Sequence, residues 1–131
     1  MEFKRGRMID HLHLRSLDIE ASRRFYGAIL AVLGIPLVDG GDHFFADELW
    51  VDVGEQPSHV HFAFQTPDRP AVDRWYAAGL AAGGKDNGAP GERRYHPGYY
   101  AAFLFDPDGN NVEAVFHGPS TRSAEAVTIS G

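Results

Sequence analysis

Seven histidines, at positions 11, 13, 43, 59, 61, 96 and 117, are the residues of this chain best suited to bind a metal or move a proton near neutral pH. A lone histidine on a strand carries no such message, because most are structural or face solvent. Two of these are related by a repeat. An offset of 50 brings His11 onto His61, Asp18 onto Asp68, Arg24 onto Arg74, Phe25 onto Trp75, Tyr26 onto Tyr76 and Gly34 onto Gly84. If the two copies pack about a pseudo-twofold axis, His11 and His61 meet near it. Two neutral imidazoles and one carboxylate then make an open site for Zn²⁺, Fe²⁺, Mn²⁺ or Ni²⁺, with positions left for water or substrate. Glu113 can supply the carboxylate: it lies in the apolar run Val112-Glu113-Ala114-Val115-Phe116, where a buried charge without a partner is costly. The alternative is an edge strand on which Glu113 faces solvent.

The elements that position these residues are legible from periodicity. Ile9–Arg15 and His59–Gln65 alternate apolar residues on one face with histidines on the other, which predicts strands. Each is followed by a polar turn with Asp18 or Asp68 as N-cap, then a helix stopped by Gly34 or by Gly83-Gly84. Further strands are expected at 35–38, 43–46 and 49–53, and again at 92–95, 99–105 and 111–116. The unit is βαβββ written twice, an α+β fold, with a seam at Gly54-Glu55-Gln56-Pro57-Ser58. Asp106-Pro107-Asp108-Gly109-Asn110 reads as a hairpin turn rather than a ligand set. The single domain is expected over 8–117, with modules of about 8–54 and 58–117. Residues 1–7 and 118–131 are expected to be a loose leader and tail.

A chain of 131 residues has room for one such domain. It has 0 Cys, so neither disulfides nor thiolate metal sites are available. Lys+Arg 12 against Asp+Glu 18 gives a net charge of -6, the wrong sign for a surface that binds nucleic acid or anionic lipid. No apolar stretch approaches the roughly 20 residues of a membrane span, and a cytoplasmic location is expected.

The segments IDHLHLRSLDIEASRRFYGAIL, HVHFAFQTPDRPAVDRWY and YYAAFLFDPDGNNVEAVFH resemble the vicinal oxygen chelate superfamily, which includes glyoxalase I, extradiol dioxygenases, and fosfomycin and bleomycin resistance proteins. The likeness runs from about Met8 to His117, and the DPDGN turn followed by a Glu-containing apolar strand is its most specific part. It implies that two curved βαβββ sheets form a cup around a divalent metal held by His11, His61 and Glu113. Glyoxalase I-like members have a further glutamate late in the first module, where this chain offers Glu48, which also reads as a turn residue after Asp47. His13 and His59 lie two residues from the ligands on the same strand faces and can line the cup. Arg15 stands where glyoxalase I-like proteins place an arginine on the glutathione carboxylate. The Gly-rich segment 84–98, with Tyr95 and His96, and Tyr99 just beyond it, is expected to rim the substrate pocket.

The chemistry implied is metal-assisted isomerase or lyase work on a carbonyl compound or thiol conjugate, possible substrates including a glutathione conjugate, with Glu113 or Glu48 as base. Extradiol cleavage is the alternative enzyme reading, but its pattern has tyrosine ten residues before the glutamate, and this chain has Phe103. A different class is a metal-free drug-binding protein of the bleomycin-resistance kind. A homodimer is expected for short two-module chains of this superfamily.

Overall fold

The computed structural model describes residues 2–130. In the first module β2 (Leu12–Ser16) leads into α1 (Ile19–Val32), followed by β3 (Val38–Asp39), β4 (His43–Ala46) and β5 (Leu49–Val53). In the second, β6 (His61–Gln65) leads into α2 (Arg69–Ala81), then β7 (Lys85–Glu92), β8 (Tyr100–Phe105) and β9 (Asn111–Phe116). Each module is one four-stranded sheet, ordered β2-β5-β4-β3 and β6-β9-β8-β7. The first strand pairs parallel with the last, and the remaining pairs are antiparallel. The fold is therefore α+β with two tandem βαβββ modules.

The helices begin where the chemistry of capping requires. The Asp18 carboxylate accepts from the Ala21 amide at 3.2 Å and that of Asp68 from the Ala71 amide at 2.8 Å. Gly34 and Gly83, both at positive φ, end the helical turns. In α1, Phe25, Tyr26, Ile29 and Leu30 recur at helical spacing and are all buried. The two helices pack on each other, α1 on the first sheet and α2 on the second. One core results, joining Leu14, Phe44 and Val51 of the first module to Trp75, Leu104 and Val112 of the second. The sheet faces turned away from the helices carry His13, His43 and His61.

The DPDGN turn is a structural hub. Asp106 is buried and accepts from the amides of Asp108 and Asn110, from the Asn110 side chain, and from the Tyr26 hydroxyl at 2.5 Å. Asp108 accepts from the Leu17 amide and the Ser22 hydroxyl, tying the second module to the first. Gly109 takes φ 91, which a side chain would disfavour.

Three placements differ from the sequence reading. The strand expected at 35–38 is only Val38–Asp39. Lys85–Glu92 is a strand, not a loop, and the expected strand at 92–95 is instead the turn that follows it. Its sequence, KDNGAPGE, holds two glycines and a proline. It is tolerated because β7 is an edge strand, with irregular register between Asp86 and Gly88 and between Gly88 and Gly91. The ends also differ: β1 (Glu2–Arg5) pairs antiparallel with β10 (Val127–Ser130). Arg5 reaches back to donate to the Asp47 carbonyl at 2.5 Å. Among the described residues no helix is long and apolar enough to cross a membrane.

Candidate functional site

Alternation along β6 and β9 puts His61, Asn111 and Glu113 on the open face of the second sheet, opposite the buried Val112 and Ala114. Glu113 is nonetheless buried, its side chain only 4% exposed. Its two oxygens are both engaged. Oε1 lies 2.9 Å from His61 Nε2, and Oε2 accepts from the Tyr99 hydroxyl. A buried carboxylate with two donors is stabilised where an unpaired one would not be.

The tautomer of His61 follows from its other neighbours. Asn111 Oδ1 accepts from Asn87 Nδ2 at 3.1 Å, which turns Asn111 Nδ2 toward His61 Nδ1 at 2.7 Å. Nδ1 is then an acceptor, and the proton sits on Nε2, aimed at Glu113. Phe103, directly across from Glu113 in the β8–β9 register, walls the pair, with its ring 6.0 Å from that of His61. Arg93 lies over the Phe103 ring at 5.4 Å.

Tyr99 arrives from the turn after β7. Gly98, at φ 86, packs backbone to backbone against Gly118, and beside it His96 and His117 pair through Nε2 and Nδ1 at 3.0 Å. His96 donates from Nδ1 to the Pro97 carbonyl, so Nε2 accepts from His117. The rings of Tyr95, His96 and His117 each lie 4.9–5.3 Å from Tyr99. Burial first, then the hydrogen bond to Glu113, raises the Tyr99 phenol well above its ordinary value.

The remaining predicted residues sit elsewhere. His11 is exposed, with Nδ1 2.8 Å from Asp10. His13 Nε2 lies 2.8 Å from Asp52 Oδ1 on the open face of the first sheet, and Arg15 follows it on that face. Glu48 is exposed in the turn between β4 and β5, and His59 is exposed just before β6. The structure thus gathers His61, Glu113, Tyr99, His96 and Tyr95 at one end of the second sheet, and leaves His11, His13, Arg15 and Glu48 on the first module. Sequence reasoning missed Asn111; Asn87 lies in the segment expected to rim the pocket, and His117 was among the seven histidines but was given no role. Asn111 had a signal, as the residue opposite His61 in a parallel pairing of first and last strands.

The His61 imidazole and Glu113 carboxylate are donors of the right kind for a divalent cation, but they are two donors, not three. Among the described residues no group of three His, Cys, Asp or Glu is placed to hold a metal ion. Within one chain the set His11, His61 and Glu113 is not assembled. Separately, a cavity of about 300 Å³ lies at the seam of the modules, lined by Leu12, Leu30, Leu49, Phe62 and Phe64 with Asp47 and Glu48. It does not include the His61–Glu113 pair.

Comparison with known proteins agrees with this architecture. No curated protein matches the chain. Among solved structures, a glyoxalase/bleomycin resistance protein from Albidiferax ferrireducens is 30% identical, covering 82% of this chain and 97% of that one, with a TM-score of 0.74. A glyoxalase-related enzyme from Fulvimarina pelagi is 20% identical over 95% of this chain and 99% of that one, with a TM-score of 0.72. A lactoylglutathione lyase from Agrobacterium tumefaciens is 21% identical, covering 80% and 90%, with a TM-score of 0.60. Residues 8–114 match the Glyoxalase/Bleomycin resistance protein/Dioxygenase superfamily, and the chain belongs to it.

Proposed function

We propose that this chain is a metal-assisted enzyme of glyoxalase-like type, acting as an isomerase or lyase on a small carbonyl compound or thiol conjugate. The observation that carries the reading is the buried Glu113 carboxylate, held on an open sheet face between His61 and Tyr99. An ionised group is kept in a poorly solvated place only where its charge is used or fully compensated. His61 and Glu113 are the residues of this sheet that would hold a divalent cation, and His11 of a second copy is the candidate third donor. Such a cation, when bound, polarises a carbonyl oxygen.

The chain's own groups have distinct parts. Glu113 accepts a proton from carbon, the general-base role open to a carboxylate with a free lone pair. Tyr99 donates to Oε2 and steadies the charge there, and its phenol keeps its own proton because burial and the neighbouring carboxylate hold its pKa above the ordinary value. Phe103 walls one side of the pair, and Tyr95 packs on the edge of Tyr99. Arg15 of the first module is the candidate clamp for a substrate carboxylate.

Elemental analysis of the purified chain and of Glu113→Gln, followed by assay with hemithioacetals, tests this reading. One divalent cation per chain, lost in the variant together with turnover, is the expected result. Equal metal content in the variant overturns the ligand assignment. Tight ligand binding with no metal and no turnover replaces it with a sequestering role, and oxygen uptake with a catechol replaces it with a dioxygenase.

A further inference from the structure

Beyond the His61–Glu113 pair, two further imidazoles meet at the end of the second sheet. His96 stands in a turn that its own backbone closes: the Arg93 amide donates to the Tyr99 carbonyl at 2.9 Å, and the Tyr99 amide to the His96 carbonyl at 3.1 Å. His117 is the residue that follows β9. Gly98 and Gly118 let the two segments touch, since a Cβ added to either would lie 3.4 Å from the Cα of the other. That close approach sets His96 Nε2 3.0 Å from His117 Nδ1, with His96 exposed and His117 half-buried.

Both nitrogens can serve a metal. His96 donates its Nδ1 proton to the Pro97 carbonyl at 2.9 Å, which leaves a lone pair on Nε2. A ligating histidine is commonly oriented in this way, by a carbonyl that takes the proton of its other nitrogen. His117 Nε2 has no hydrogen-bond partner among the described residues, so the His117 proton can move there and free Nδ1 as the second donor. Two imidazole nitrogens at about 2.0–2.1 Å from one ion stand about 2.8–3.4 Å apart for angles between square and tetrahedral. The 3.0 Å separation of this pair falls in that range.

We propose that His96 and His117 chelate a divalent transition-metal ion, which takes the place of the hydrogen bond between them and pins the turn carrying Tyr99 to the end of β9. Water fills the remaining positions. Imidazole donors suit Cu²⁺, Ni²⁺ or Zn²⁺, whereas Mg²⁺ and Ca²⁺ call for oxygen ligands. A site of two donors exchanges its ion readily and fills when metal is added, so metal retained through purification reports on Glu113 instead. The proposal uses neither His61 nor Glu113 and does not rest on the enzymatic reading above.

The test uses the full chain carrying Glu113→Gln, stripped with a chelator and titrated with Zn²⁺ by calorimetry. One Zn²⁺ per chain is expected. Adding His96→Gln or His117→Gln is expected to weaken it at least about tenfold, since even a lost outer partner of a ligating histidine costs that much. His59→Gln in the same background is expected to bind Zn²⁺ as Glu113→Gln alone does, and Mg²⁺ is expected not to bind. Cu²⁺ is expected to bind tighter than Zn²⁺, with two coordinated nitrogens in its electron paramagnetic resonance spectrum and one in either double variant. Because the ion joins two segments, Zn²⁺ is expected to slow amide exchange over 96–99 in Glu113→Gln and not in the double variants.

The proposal is overturned if Glu113→Gln takes up no Zn²⁺, or if the double variants bind it as tightly as Glu113→Gln does. Uptake confined to an ion-linked dimer, seen by sedimentation, overturns it as well. His96 is exposed, so His96→Gln carries the comparison should His117→Gln fail to fold. Metal and turnover lost together in purified Glu113→Gln, with no uptake on adding Zn²⁺, leave the enzymatic reading standing without this site. Uptake by the histidine pair in a chain with no turnover leaves this site standing without that reading.

Discussion

Trp50 stands in the first module where Glu113 stands in the second. His13 pairs with Trp50 across β2 and β5, and Ala63, its counterpart fifty residues on, pairs with Glu113 across β6 and β9. Extending the same register, Glu48, in the turn just before β5, answers to Asn111 at the start of β9. The pseudo-twofold repeat therefore relates a carboxylate to an indole, and only the second sheet offers a buried acid on its open face. Glu48→Gln is expected to keep metal content and turnover within about twofold of the parent, as surface changes usually do. Glu113→Gln should lose both. Metal analysis and kcat/KM on the two variants check the contrast.

Tyr99 donates to Glu113 and is held above its ordinary ionisation range by burial and then by that bond. In Glu113→Gln the bond to a charged acceptor and the repulsion of that charge are gone, so Tyr99 should titrate closer to about 10. Ultraviolet absorbance across an alkaline titration, with Tyr99→Phe to assign the phenol, measures this. Tyr99→Phe should also lower kcat more than it raises KM, because Tyr99 touches the base rather than the bound substrate.

Much of this arrangement was legible in the sequence because it rests on local rules. The alternation of His11, His13 and His61 with apolar neighbours marks sheet faces, and Asp18 and Asp68 mark helix starts that the structure caps as expected. The DPDGN turn was legible for the same reason. Lys85–Glu92 was not, because an edge strand needs only one ladder of bonds and accepts Gly and Pro that local propensity argues against. Nor did the repeat reveal that Tyr99 reaches Glu113 or that His96 pairs with His117. These contacts span 14 and 21 residues and depend on how the turn after β7 folds back over β9.

Tyr26 ties folding to alkaline pH. Its hydroxyl donates to Asp106 in a fully buried setting, and burial, followed by the Asp106 charge, raises its pKa well above the ordinary value. The folded state thus holds the proton more tightly than the unfolded state. The contribution is complete below the unfolded value of about 10 and is lost as pH climbs through the folded value. Chemical denaturation at increasing pH should show stability falling above about pH 10, by at most about 1.4 kcal/mol per pH unit from this group. Tyr26→Phe should remove that part of the slope and cost about 1–3 kcal/mol at neutral pH, since Asp106 Oδ2 is left with Asn110 alone.

The separation of His11 from His61 and Glu113 within one chain makes assembly the deciding variable for the metal site. If the site is completed between two copies, the chain should sediment at twice 14.4 kDa at micromolar concentration. His11→Ala leaves the second-sheet donors intact, and His61→Ala leaves the first-module donor intact. Neither variant alone should retain a full site. A mixture of the two, dissociated and reassembled, should recover complete sites at one of two positions in each mixed dimer. Metal content and turnover of the mixture, compared with each variant alone, measure that recovery. A mixture no better than its components, in a chain that is dimeric and active as the parent, would place all three donors within one subunit.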